Sequence, residues 1–201
     1  MSWQLVNLGD VAASPWRNGG GVTRELAVWP TGGDDWTWRM AIAEVAQDGP
    51  FSCFPGVDRW FAVLAGDGVR LAVAGQAHEL TRDSAPLRFA GDAATDCRLL
   101  GGATRDFNLM LRRDRADGTM RRISGNLDVV IAAPKTIAVY AVDAPARIDD
   151  GRRAALALPA GCLAWQILKA GTALQLSVPS ALLIEITQSA IADSDFESEL
   201  R

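Results

Sequence analysis

The sequence predicts an all-β protein, a sandwich or barrel rather than a βαβ fold. Three observations lead there. The 19 glycines and nine prolines are spread along all 201 residues and cut the chain into short segments. Between them, short apolar or alternating runs recur at close spacing. Helical periodicity is weak throughout.

Taken in order, Val22 to Trp29 reads as the first clear strand, entered through a tight turn. Trp36 to Ala43 follows, with Trp36, Trp38, Met40 and Ile42 on one face and Arg39 on the other. Arg59 to Ala65 is an apolar run ended by Gly66-Asp67-Gly68, and Val69 to Val73 comes next, so 59–73 reads as a hairpin. Leu87–Phe89, Cys97–Leu100 and Phe107–Leu111 are shorter strands. The second half repeats the style at 127–132, 136–142, 154–158, 163–168, 174–178 and 182–186. Between the halves, the arginine-rich stretch 112–122 reads as a solvated connection. The acidic tail from Asp193 to Arg201 reads as a polar end.

Composition bounds the function. The chain is 49% hydrophobic and 22% charged with a formal net charge of -4, so a core can form without disulfides or metal. A mildly acidic chain lacks the basic footprint of a nucleic-acid binder. No apolar run is long enough for a membrane helix. The opening Met1-Ser2-Trp3-Gln4-Leu5 does not read as a secretory signal. Cys53, Cys97 and Cys162 are far apart and odd in number, which suits reduced thiols in a cytoplasmic protein. His78 is the single histidine, read as a surface residue at a turn entering a strand. No histidine-based metal site or catalytic triad is therefore expected, and no cofactor.

Four stretches hold polar residues that a plain barrel does not need. Pro15-Trp16-Arg17-Asn18-Gly19-Gly20-Gly21-Val22-Thr23-Arg24-Glu25 sets a glycine run beside charged and aromatic groups. Its backbone could form an anion nest with Arg17 and Asn18 as added donors, or it could be a tight turn. Asp48 to Arg59 carries Gly-Pro and Pro-Gly turns, with Phe51 and Phe54 as anchors. Asp58 and Arg59 at its end point to opposite faces, so one of them can face a barrel interior. In Gly101 to Met110, Asp106, Asn108 and Met110 share a face, and a buried polar pair there needs partners. Glu44 ends the Trp36 to Ile42 face and could reach a cavity or water.

Together these stretches are recognisable. Pro15 to Glu25, then Trp38-Arg39-Met40-Ala41-Ile42-Ala43-Glu44-Val45, then Asp48 to Arg59, then Arg105-Asp106-Phe107-Asn108-Leu109-Met110 resemble the HutD/Ves family in order and spacing. The resemblance is close over roughly residues 3–113 and one of style beyond. It implies a cupin-type (RmlC-like) β-barrel or jelly roll with two related halves: a first half-barrel over about 1–111, a connection at 112–122, a second half over 123–190 and a tail at 191–201. It also implies a bacterial cytoplasmic protein with a regulatory or accessory role in histidine utilisation, binding a carboxylate of the formylglutamate or urocanate type. The family's lysine after Pro-Trp is Arg17 here, a planar fork in place of a point charge.

The expected function is metal-free binding of a small carboxylate, with no catalytic residue. The candidate site is Arg17, Asn18, Gly19, Gly20, Glu44, Arg59, Asp106 and Asn108. The alternative is a metal-independent cupin enzyme, an isomerase or lyase, with Glu44 or Asp106 as its base. A third reading is an interaction protein using its tryptophan-rich surface or a sheet edge. A homodimer paired through sheet edges is the candidate assembly.

Overall fold

A computed structural model describes residues 2–33 and 35–189, which are strands and turns apart from one 3-10 turn at Leu8–Asp10. The acidic tail expected at 191–201 lies outside the described residues. In chain order the strands are β1 (Gln4–Asn7), β2 (Ser14–Pro15), β3 (Gly21–Trp29), β4 (Trp38–Val45), β5 (Gly49–Pro50) and β6 (Val57–Ala65). Next come β7 (Val69–Val73), β8 (Gln76–Leu80), β9 (Leu87–Ala90), β10 (Thr95–Leu99) and β11 (Thr104–Arg112). The last six are β12 (Ala116–Val130), β13 (Lys135–Ala141), β14 (Ala146–Asp149), β15 (Leu156–Leu158), β16 (Cys162–Leu168) and β17 (Ala173–Gln188).

The chain divides into two compact units. Val11–Asp114 form the central unit, and the residues before and after them form the terminal unit. The N-terminal strand thus belongs with the second half of the chain, because β1 pairs antiparallel with β16. The connection expected at 112–122 is mostly strand. Residues 116–122 are the first half of β12, and alternation keeps Ala116 and Met120 buried between exposed neighbours.

The central unit has two sheets, one ordered β2-β3-β4-β11-β6-β9 and one ordered β5-β10-β7-β8. Its core takes Ala43 and Val45 from β4, Phe61 and Val63 from β6, and Phe89 from β9. From the smaller sheet it takes Val69, Leu71, Leu80 and Cys97. The two sheets therefore face each other across apolar side chains, as in a jelly roll. The hairpin expected at 59–73 is not one. β6 pairs with β11 and β9, while β7 pairs with β10 and β8. Gly66 and Gly68 adopt φ of 91° and 110° and carry the chain from one sheet to the other.

In the terminal unit the sheet runs β1-β16-β13-β17-β14-β15, with β12 also on β17. The runs expected at 174–178 and 182–186 are one strand. β17 pairs with β14 through Gln175–Ser177 and with β13 through Ala181–Ile186. The register with β12 slips between Ile123 and Gly125, a bulge that falls opposite Pro179 of β17, which has no N–H to give to the ladder. The interior is an apolar cluster that includes Ile137, Val139, Leu174, Leu176 and Leu183.

Candidate functional site

The site is a cavity of about 760 Å³ in the central unit, lined from β4, β6 and β11 and by the loops that carry Trp16 and Phe51. Strand alternation builds its wall. On β4, Arg39, Ala41 and Ala43 face inward, on β6 Arg59 and Phe61, and on β11 Asn108 and Met110. The small side chains of Ala41 and Ala43 leave the space. The other face of β4 carries Trp38, Met40 and Ile42, all fully buried, so this strand is buried on both faces.

Arg59 is the central charge. It is 7% exposed, and its Nη2 donates to Asn108 Oδ1 at 3.0 Å. Phe51, Phe54 and Phe89 surround its guanidinium, with centroids 5.2, 5.5 and 5.1 Å from Cζ. Its Nε is buried without a hydrogen-bond partner. Among the described residues no carboxylate offsets it, and burial alone lowers its pKa to about 10. It therefore remains a cation at neutral pH. A buried cation without a counter-ion costs several kcal/mol unless an anion joins it. The neighbouring Asp58 points outward, where it accepts from Arg88 at 2.7 Å and from Arg113 at 2.6 Å. The two residues thus project to opposite faces, as alternation requires.

Arg17 and Asn18 are exposed at the rim and line the cavity. The glycine run beside them is not an open anion nest. Gly19 N donates to Trp16 O at 3.0 Å and Gly20 N to Asn18 Oδ1 at 3.0 Å, so both amides serve the turn. Gly21 is needed for close packing, since a Cβ there would collide with the Glu44 carbonyl. Trp16 is held over the cavity by its Nε1–H bond to Thr23 Oγ1, 2.8 Å long.

Glu44 lies on the face of β4 away from the cavity. Its carboxylate is 42% exposed and pairs with Arg24 at 3.5 Å. Asp106 occupies the next inward position of β11 after Asn108 but does not line the cavity. It is fully buried, accepts from Thr104 Oγ1 at 2.8 Å, and its Oδ1 has no partner. Burial pushes its carboxyl up to about 7. The structure therefore gathers Arg17, Asn18, Arg59 and Asn108 around one space and leaves Gly19, Gly20, Glu44 and Asp106 outside its lining.

Sequence reasoning did not mark Arg39 or Phe89. Arg39 lines the cavity, donates to Glu25 from Nε at 2.8 Å and lies 5.6 Å from the Trp36 ring. It sits on the polar face of its strand, which was legible; that this face bounds a cavity was not. Phe89 reaches Arg59 only because β9 pairs with β6. His78 is half-buried on β8. Among the described residues, no group of three His, Cys, Asp or Glu side chains could hold a metal ion. No described helix is long and apolar enough to cross a membrane.

Jelly-roll sheets and a polar cavity in the central unit define a cupin-type β-barrel protein. The family model for HutD matches residues 9–186, and the chain belongs to that family. It is 41% identical over 138 residues to an uncharacterized 21.2 kDa protein in the hutC 3' region of Pseudomonas putida, covering 65% of this chain and 73% of that one. It is 43% identical over 108 residues to Protein Ves of Citrobacter koseri, covering 53% of this chain and 56% of that one. Among solved structures, HutD from Pseudomonas fluorescens SBW25 in a formate condition aligns with a TM-score of 0.84 at 28% identity, over 94% of this chain and all of that one. An oxalate decarboxylase–formate complex from Lactobacillus farciminis aligns at 0.64 with 7% identity, over 92% of this chain and 86% of that one, and shares the fold alone.

Proposed function

We propose that the central unit binds a small carboxylate metabolite, with Arg59 as its counter-charge. The observation that carries this reading is a guanidinium only 7% exposed, beside a cavity, with an unpartnered Nε and no acidic partner. A carboxylate matches a planar guanidinium fork. Asn108 fixes the fork's orientation, and the three phenylalanine rings keep the charge poorly hydrated, which strengthens its pull on an anion. Arg17 places a further positive charge at the cavity rim, which suits a ligand longer than a single carboxyl group. Arg39 at the wall is already paired with Glu25 at 2.7 Å.

The pathway reading is regulatory or accessory work in cytoplasmic histidine utilisation, with a ligand of the formylglutamate or urocanate type. The P. putida relative, a protein of the hutC 3' region, supports it, and the formate condition of the P. fluorescens HutD fits the same chemistry. The candidate bases Glu44 and Asp106 do not line the cavity, which supports the binding reading over proton-transfer catalysis by either of them.

The test is calorimetric titration with formylglutamate, urocanate and formate. Saturable binding that is lost in Arg59→Ala supports the reading. Equal binding by that variant, or none by the native protein, overturns it.

A further inference from the structure

Each unit contains four strands threaded along the same path. In the central unit the sheet includes the run β4-β11-β6-β9, and in the terminal unit β12-β17-β13-β16. Counted in chain order, each set is paired first, fourth, second, third. The central cavity takes Arg39, Arg59 and Asn108 from its first, second and fourth strands. The same strands of the terminal set carry Arg121, Lys135 and Glu185. Arg59 is third in β6 and Lys135 first in β13, so both sets place a cation at the same end of the second strand.

The terminal residues face their unit's interior. Alternation puts Arg121 on the side of Ile123, Lys135 on the side of Ile137 and Glu185 on the side of Leu183, all three members of the apolar cluster. Gln166 of β16 joins them, between Ala164 and Leu168 of the same cluster. Register sets Gln166 opposite Ile137, and Ile137 opposite Glu185. Gln166 and Glu185 therefore flank one strand on one face, with backbones about 10 Å apart.

This group holds both signs of charge and unused hydrogen-bonding capacity. Lys135 Nζ donates to Glu185 Oε2 at 3.1 Å. Arg121 Nη2 stands 4.0 Å from Glu185 Oε1, beyond hydrogen-bond reach. Gln166 is 6% exposed, and its Oε1 is buried without a partner among the described residues. Buried amide oxygens are ordinarily hydrogen-bonded, so this one calls for a donor.

We propose that Arg121, Lys135, Gln166 and Glu185 form a second binding site, in the terminal unit, for a small α-amino acid in its zwitterionic form. Arg121 takes the carboxylate with its planar fork. Gln166 Oε1 accepts from the ammonium, and Glu185, whose carboxylate has lone pairs beyond the one facing Lys135, offers it a counter-charge. The charges select for this class. A simple carboxylate would meet repulsion from Glu185, and a simple amine would meet repulsion from Lys135 and Arg121. A zwitterion presents each of its charges to the opposite one. The Arg59 cavity differs in having no carboxylate beside its cation, so the two sites take different ligands, and neither reading rests on the other.

The experiment titrates the full-length protein with glycine and follows the side-chain amide ¹⁵N–¹H signals of Gln166. Glycolate, which has the carboxylate but no ammonium, and methylammonium, which has only the cation, are the controls. Glycine is expected to move the Gln166 signals saturably, and the controls to need at least about tenfold higher concentration for the same shift. Arg121→Ala, at an exposed position, is expected to keep the fold and weaken glycine binding by about tenfold or more. Arg59→Ala is expected to leave glycine binding unchanged. No saturable movement of Gln166 overturns the proposal. Equal response to glycolate overturns the amino-acid class, as does full affinity in Arg121→Ala. Glycine binding that disappears in Arg59→Ala belongs to the central cavity and overturns the second site.

Discussion

Arg59 and Asn108 meet across neighbouring strands through a 3.0 Å bond from Nη2 to Oδ1, although 49 residues separate them in the chain. The register of β6 on β11 places Arg59 opposite Met110 and Asn108 opposite Phe61. The guanidinium therefore reaches diagonally along the barrel wall instead of straight across it. A side chain held this way is oriented before any ligand arrives, which lowers the ordering cost of binding.

Replacing Arg59 should separate stability from binding. The buried cation is a liability for folding, and Met fills similar volume without charge. Arg59→Met is expected to melt at or above the native temperature while losing all protection by carboxylates. Thermal melts with and without formylglutamate check this. A large loss of stability in the ligand-free variant would mean that the guanidinium is chiefly structural.

The buried carboxyl should give stability an unusual slope. Asp106 rises from 3.8 to about 7 on folding, so between those values the folded state binds a proton that the unfolded state releases. Stability should fall as pH rises through that window and be lowest above it. Full ionisation corresponds to roughly 4 kcal/mol as an upper bound. Asp58 acts in a different window. Burial raises its carboxyl, but bonds from Arg113 and Arg88 outweigh that and hold it low, so its contribution is present above 3.8 and lost in stronger acid. Urea denaturation at pH 5 and pH 8, which spans about two units of that window, is expected to show a loss on the order of 1–3 kcal/mol that Asp106→Asn largely removes. An unchanged slope in that variant would exclude Asp106 as its source.

The glycine run should respond unevenly to alanine. At Gly21 a Cβ would strike the Glu44 carbonyl and come within 3.2 Å of the Trp16 ring, so Gly21→Ala should cost about 1–3 kcal/mol or more. At Gly19 there is open space, and only the φ of 72° is strained, so the cost should be about 1 kcal/mol. Equal losses at the two positions would contradict the packing role given to Gly21.

The three thiols should react in a fixed order. Cys53 is exposed, whereas Cys97 and Cys162 are 1% and 7% exposed, and burial raises both of their pKa values. Alkylation followed by mass spectrometry should modify Cys53 in native protein and the other two only after unfolding. Early labelling of Cys97 would show that the barrel opens readily.

Much of the fold was legible locally. Glycine and proline marked the strand ends, and the all-β expectation holds. The sites of Gly66 and Gly68 were read correctly as a turn, but the turn joins two sheets instead of two paired strands. Local sequence cannot distinguish these, because a hairpin and a sheet crossing need the same conformational freedom and differ only in which distant strand completes the ladder.

The sequence by itself determined strand alternation, the opposed directions of Asp58 and Arg59, the shared face of Asp106 and Asn108, and membership in the family through four spaced motifs. Tertiary structure alone decided which of those faces encloses space. Alternation has a period of two and says which side chains travel together. It does not say whether their side meets water, a packed core or a cavity. That depends on pairings such as β6 with β11 and β9, formed between segments far apart in the chain. Those pairings bring Phe89 and Asn108 to Arg59, turn Glu44 outward and leave Asp106 sealed behind the wall.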